Sequence, residues 1–250
     1  MRVIAIIPAR YASTRFPAKP LALLGGKPII EWVYRAASQL FDTVVVATDD
    51  SRIAEVVEGF GGCAIMTSPN HRCGTERCAE ALAKMSEDYD IVVNIQGDEP
   101  FTTVEQMRSL ISLFENPSID IATLATPIVG DSATSNITNP NIVKVVIAKD
   151  STALYFSRSA IPYIRDFKQE EWFTRHTFYR HVGIYAFRSE VLRRVVTIEP
   201  TPLECAENLE QLRWMESGYT IGVGITNEVG IGIDTPDDLR RAEEILSKSL

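Results

Sequence analysis

Ile6-Ile7-Pro8-Ala9-Arg10-Tyr11-Ala12-Ser13-Thr14-Arg15-Phe16-Pro17-Ala18-Lys19-Pro20-Leu21 is the stretch that decides the fold of this chain. The apolar run that leads into it, Val3 to Ile7, is short and β-branched, which suits a buried strand of a parallel sheet. A loop leaving such a strand opens at the sheet's carboxyl edge, where open α/β sheets bind their ligands. The loop carries Arg10, Arg15 and Lys19, the hydroxyls of Ser13 and Thr14, and the prolines Pro8, Pro17 and Pro20. Prolines stiffen the backbone and remove competing donors, so fixed cations and free N–H groups can surround a polyanion. A solvated basic turn would contain the same residues, so the neighbouring segments must decide.

Outward from this loop, apolar runs alternate with helix-period segments, the pattern of βαβ units around a mainly parallel sheet. Strands are expected over 3–7, 44–47, 63–66, 91–95 and 121–126, with helices over 29–40, 51–59, 75–85 and 104–114. Gly25-Gly26 ahead of Lys27-Pro28 is a turn with proline in the first turn of the following helix. The second half is less regular. Strands are expected over 142–148, 153–156, 183–187 and 219–225, and helices over 203–217 and 236–247. Residues 157–181 hold charges and aromatics without a clean period and read as a long functional loop or small lobe.

The chain has 250 residues, 45% hydrophobic and 23% charged, which is ordinary for a globular protein with a sizeable core. No apolar run reaches the length of a membrane span and Met1-Arg2-Val3-Ile4 enters a strand directly, so the expectation is a cytoplasmic protein without membrane insertion. A net charge of −8 argues against a nucleic-acid surface. Residues 1–35 nevertheless hold Arg2, Arg10, Arg15, Lys19, Lys27 and Arg35 against Glu31 alone, a net of +5 that leaves −13 to the rest of a chain totalling −8. A basic site on an acidic protein suits a small anionic ligand. Cys63, Cys73, Cys78 and Cys205 lack C-x-x-C spacing and read as structural thiols.

Asn94-Ile95-Gln96-Gly97-Asp98-Glu99-Pro100 follows a strand, so Asp98 belongs at the same carboxyl edge as the first loop. A carboxylate beside a phosphate cradle suits Mg²⁺, which takes a few carboxylates plus phosphate oxygens and water. Gly232-Ile233-Asp234-Thr235-Pro236-Asp237-Asp238 offers a second carboxylate, Asp234, although capping of the helix that begins at Pro236 explains an Asp there equally well. His71-Arg72-Cys73-Gly74-Thr75-Glu76-Arg77 places a helix start near a ligand, or simply a capped helix with a solvated face. His181, Arg158, Arg165, Glu210 and Gln211 each have an ordinary structural explanation when read alone.

Read together, P-A-R-Y-A-S-T-R-F-P-A-K-P-L, H-R-C-G-T-E-R, N-I-Q-G-D-E-P, N-P-N-I-V-K-V-V, A-L-Y-F-S-R-S-A-I-P, R-H-V-G-I-Y, P-L-E-x-x-E-x-L-E-Q-L-R and G-I-D-T-P-D-D-L stand in the order seen in 3-deoxy-manno-octulosonate (Kdo) cytidylyltransferases, the CMP-Kdo synthetases, which the chain resembles from Ile6 to Leu239. The resemblance implies transfer of CMP from CTP to Kdo with release of pyrophosphate, as a step of lipopolysaccharide biosynthesis, with Mg²⁺ as cofactor and a homodimer as the assembly. It implies an α/β nucleotidyltransferase fold, Rossmann-like, with a mostly parallel central sheet flanked by helices and a smaller substrate-binding and dimerisation lobe. One domain over 1–250 would comprise a nucleotide-binding half at 1–130, a sugar-binding and dimerisation region at 131–225, and a metal-ligand loop with the terminal helix at 226–250.

Carried residue by residue, the resemblance assigns nucleotide binding to Ala9, Arg10, Ser13, Thr14, Arg15, Lys19, Gly74 and Arg77, and catalysis to Arg15, Lys19, Asp98 and Asp234. Asp98 and Asp234 would ligate the metal. Gln96, Arg158, Arg165, His181, Tyr185, Glu210 and Gln211 would form the Kdo pocket. Ala18 stands where Gly is usual, a change that its small size makes minor, and Cys73 stands where Ser is usual, exchanging a hydroxyl for a weak donor. A CMP-sialic acid or 8-amino-Kdo cytidylyltransferase is the nearest alternative, because such sugars differ by a few hydroxyl contacts. A non-catalytic nucleotide-binding scaffold is disfavoured by the two carboxylates, and a dinucleotide oxidoreductase by the lack of G-x-G-x-x-G after the first strand.

Overall fold

A computed structural model describes the chain except residues 13–15, 131, 229, 231 and 250, with backbone alone at 248 and 249. In chain order the strands are β1 (Val3–Ala9), β2 (Leu23–Leu24), β3 (Lys27–Pro28), β4 (Val44–Thr48), β5 (Ala64–Met66), β6 (Ile91–Asn94), β7 (Ile121–Pro127), β8 (Lys144–Ile147), β9 (Ala153–Ser157), β10 (Tyr179–Arg188) and β11 (Ile221–Ile225). The helices are α1 (Ile29–Ala37), α2 (Ser51–Gly59), α3 (Gly74–Ala83), α4 (Val104–Ser112), α5 (Ala133–Thr138), α6 (Ser189–Val195), α7 (Pro202–Glu207), α8 (Glu210–Glu216) and α9 (Pro236–Ser249). The fold class is α/β, with mostly parallel pairing and flanking helices.

The backbone forms two compact units, Met1–Arg108 with Ala186–Val196 and Gly230–Leu250, and Ser109–Tyr185 with Thr197–Val229. These borders differ from those expected near 130 and 225. The difference arises because the chain returns to the first unit through Ala186–Val196, a segment with no Gly or Pro to mark the crossing.

In the first unit β1 lies between β6 and β4, and β5 follows β4, all parallel. Ile4, Ala5, Ile6 and Ile7 are completely buried, as are Val46 and Ala47. Continuous burial rather than alternation is what a sheet covered on both faces demands. Helix α1 buries Ile29, Ile30, Val33 and Ala37 on one stripe, and α2 starts where Asp50 accepts a hydrogen bond from the Arg52 amide at 3.0 Å. Because β1, β4, β5 and β6 run parallel, the loops leaving them gather at one edge.

In the second unit β11 pairs parallel with β7, and β10 lies on β7's other side. The chain then doubles back, β8 antiparallel to β10 and β9 antiparallel to β8. Residues 157–181, expected as a loop or lobe, are tied down by an aromatic cluster in which Trp172 stacks on Phe178 at 5.9 Å and packs with Ile128, Ala133 and Ile137. Lys144 is entirely buried; its ammonium donates to the carbonyls of Asn139 at 2.9 Å and Ile142 at 2.6 Å, and to that of Arg158. The single helix expected over 203–217 is two, α7 and α8. Asn208 turns left-handed at φ 52 and ends the first, a conformation Asn tolerates better than most residues. Helices α5 and α6 were not legible as helices, being six and seven residues long.

Candidate functional site

One pocket in the first unit is lined by Pro8, Ala9, Arg10, Lys19, Pro20, His71, Arg72, Cys73, Gly74, Arg77, Gln96, Gly97, Asp98 and Asp234. Three segments make its wall. The first is the end of β1 and the loop beyond it, whose neck is closed by the Ala18 amide donating to the Tyr11 carbonyl at 3.0 Å. Ala18 itself sits at φ 56, in the left-handed region. Its size is therefore not what distinguishes it from glycine at this position; its Cβ is, because L-residues are strained there.

The second segment follows β6. Lys19 donates to Asp98 Oδ2 and, at 3.0 Å, to Asp234 Oδ1, so residues far apart in sequence meet at one ammonium. The Ile233 amide donates to the Asp98 carbonyl at 2.9 Å, which joins the two acidic loops through their backbones. Capping of α9 falls to Thr235, whose Oγ1 accepts from the Asp238 amide at 3.2 Å while Asp238 accepts from the Thr235 amide at 2.9 Å. Asp234 is thereby left to face Lys19. Gly97 passes so close to β1 that a Cβ there would lie 2.9 Å from the Pro8 carbonyl oxygen.

The third segment is the start of α3, with Cys73 at the N-cap position and Gly74 next. Arg77, 4% exposed, donates to Thr67 Oγ1 at 2.7 Å and pairs with Asp49 at 3.4 Å. His71 Nε2 is bonded to Glu80, which also accepts from the Ser68 amide at 2.8 Å. Lys84 first, with the Ser68 amide next, and His71 after the opposing effect of burial, bring the Glu80 carboxyl down to about 2. Arg72 donates to Glu76 Oε1 at 2.8 Å. His71 and Arg72 were read as part of a motif but not as pocket residues, and Cys73 only as the replacement of a hydroxyl contact near the nucleotide. Their position after β5, at the carboxyl edge, was the available signal.

Of the residues expected to bind nucleotide or metal, Ala9, Arg10, Lys19, Gly74, Arg77, Asp98 and Asp234 line this pocket together, and Gln96, expected to meet the sugar, lines it too. Ser13, Thr14 and Arg15 lie outside the described residues. The donor set fits a magnesium ion: two carboxylates already share a cation, and Mg²⁺ takes one or two carboxylates with waters and phosphate oxygens.

The remaining expected sugar ligands fall in the second unit. His181 is bonded to Thr123 Oγ1 at 2.9 Å and flanked by the rings of Phe156 at 5.2 Å and Tyr185 at 5.3 Å. Burial, then Arg180, push its pKa down to about 3, so the imidazole is neutral. Burial, with Glu210 second, raises the Tyr185 hydroxyl well above its ordinary value. Gln211 is 5% exposed, and Glu210 accepts from Arg213 at 2.9 Å. Arg158, expected in the sugar pocket, donates to the carbonyls of Glu207 at 2.6 Å, Pro140 at 3.0 Å and Asn208 at 3.2 Å. Its guanidinium thereby ties the α7–α8 junction, at Glu207 and Asn208, to Pro140 ahead of β8. Arg165 is 88% exposed and pairs only loosely with Asp166 at 3.5 Å.

Residues 4–221 match the family described as Cytidylyltransferase. A protein of Phocaeicola vulgatus named 3-deoxy-manno-octulosonate cytidylyltransferase is 53% identical over 248 residues, 99% of this chain and 98% of that protein. One of the same name from Thermodesulfovibrio yellowstonii is 49% identical over 99% of each chain. Among solved structures, a CMP:2-keto-3-deoxy-manno-octonic acid synthetase complexed with CTP superposes with a TM-score of 0.92 at 38% identity, covering 100% of both chains.

Proposed function

We propose, from the premise that this chain belongs to the cytidylyltransferase family, that it transfers CMP from CTP to Kdo and releases pyrophosphate. The observation that carries the reading is the meeting of Lys19, Asp98 and Asp234 in one pocket at the carboxyl ends of parallel strands. Arg10 and Lys19 bind the triphosphate and neutralise the charge that develops as pyrophosphate leaves, with Arg15 sharing the task. Arg77 and the Gly74 backbone lie against the nucleoside. Asp98 and Asp234 would hold Mg²⁺, which, when bound, supplies charge neutralisation at the phosphates and acidifies a bound hydroxyl. Positioning and electrostatics account for the acceleration, and no protein nucleophile is required.

Within the second unit, His181, Tyr185, Glu210 and Gln211 are the groups offered to Kdo. Neutral His181 offers hydrogen bonds rather than charge. Arg165, 88% exposed, offers a cation to the sugar carboxylate, while Arg158 spends three of its N–H groups on carbonyls. The product is the activated sugar for lipopolysaccharide assembly, made in the cytoplasm by a homodimer. The test is pyrophosphate release with Mg²⁺, with CTP, UTP, ATP and GTP crossed against Kdo, 8-amino-Kdo, sialic acid and hexose 1-phosphates. Release with CTP and Kdo is expected. Release with sialic acid alone would reassign the sugar, and nucleotide binding without release would make the chain a scaffold.

A further inference from the structure

Beside the pocket, and outside its lining, Arg52 on α2 lies with its guanidinium carbon 3.4 Å above the ring centroid of Tyr11. Asp50 holds the edge of the same guanidinium, Oδ1 accepting from Nε at 2.8 Å and Oδ2 from Nη2 at 2.6 Å. Asp50 is itself fixed as the cap of α2. The stack bears on the neck of the first loop, where Tyr11 accepts from the Ala18 amide. Arg10 immediately precedes that neck and Lys19 immediately follows it, and both line the pocket. The adjacent Asp49 pairs with Arg77, so the turn after β4 steadies cations on two walls.

An ordinary surface ion pair contributes little. This one is a planar fork seated bidentately on a carboxylate and face-on to a ring, a geometry that a single ion pair does not require. We propose that Arg52 is a positioning residue for the nucleotide: clamped between Asp50 and Tyr11, it fixes the loop neck so that Arg10 and Lys19 face the triphosphate together. The proposal rests on the reading of the first loop as the CTP site.

Steady-state pyrophosphate release with CTP, Kdo and Mg²⁺ tests it. Arg52→Met and Tyr11→Leu should each raise KM for CTP about five-fold, the scale of a lost cation–π contact. The turnover number and KM for Kdo should stay within about two-fold of the parent. Tyr11→Phe, which keeps the ring, should restore the parental KM for CTP. The double variant Arg52→Met, Tyr11→Leu should be no worse than either single one, because both remove one contact. A parental KM for CTP in Arg52→Met, a multiplicative double variant, or equal losses in every parameter would each overturn the proposal. Lys19→Met separates the two levels. If it turns over normally, the reading of the loop has failed and the clamp with it; if it is inactive while Arg52→Met is normal, only the clamp has failed.

Discussion

Replacing Ala18 with glycine should stabilise the protein. Ala18 is held at φ 56 by its position between the loop neck and Lys19, its amide committed to the Tyr11 carbonyl. A left-handed L-residue costs about 1–2 kcal/mol from the approach of Cβ to the backbone. Glycine removes that strain but adds freedom to the unfolded chain, a cost of about 0.4–1 kcal/mol. The difference is a gain centred on about 0.8 kcal/mol and at most about 1.6, which at the centre is a rise of about 2–3 °C in melting temperature for a chain of this size. Ala22, four residues on at φ −61, is the matched control: there Ala22→Gly relieves nothing and should lower the melting temperature. Differential scanning calorimetry of both variants decides the matter. A fall in melting temperature for Ala18→Gly, or equal changes at both positions, would refute the strain argument.

Other outcomes follow from the same geometry. Asp98→Asn should leave melting unchanged and cut pyrophosphate release by about 10²–10³-fold, the scale of a lost electrostatic contact to the transition state; parental rates at saturating Mg²⁺ would remove Asp98 from the proposed metal ligands. His181 has its pKa lowered to about 3 in the folded chain against an ordinary 6.5. As pH falls below 6.5 the unfolded chain takes up a proton that the folded one refuses, so stability drops by at most about 1.4 kcal/mol per pH unit, and His181→Gln should flatten the acid limb of a urea-midpoint profile. Arg158→Lys should lose about 1–2 kcal/mol in urea unfolding because an ammonium cannot reproduce the fork to three carbonyls; an unchanged midpoint would mean that the guanidinium is free for ligand. Lys144→Met strands buried carbonyls and should cost about 3 kcal/mol, read by the same method.

What the sequence made legible was what strand polarity dictates. The first loop and Asp98 both follow buried apolar runs, so their arrival at one edge needed only the inference that the runs are parallel. Asp234 was ambiguous because Thr235, its neighbour, can cap the same helix, and only the position of Lys19 separates the two roles. Arg158 shows a backbone role that its residue type does not announce. Its residue type suits a carboxylate, but it also meets the Glu207 and Asn208 carbonyls where α7 ends and the Pro140 carbonyl ahead of β8; Asn208, suited to a left-handed turn, was the local signal of that break. The Tyr11–Arg52 stack and the Glu80–His71 bond join segments whose spacing along the chain follows no period, so a reading by pattern passes over them.

At Gly97 two main chains touch without a side chain between them, the would-be methyl standing 2.9 Å from the Pro8 oxygen. The span between the basic lip and the acidic wall is accordingly gauged by peptide groups, whose dimensions no substitution alters. Residues around the rim can be exchanged to suit another base or another sugar while that gauge stays constant, and any methyl introduced at Gly97 would shift the acid-bearing turn away from β1, whatever the remaining side chains were.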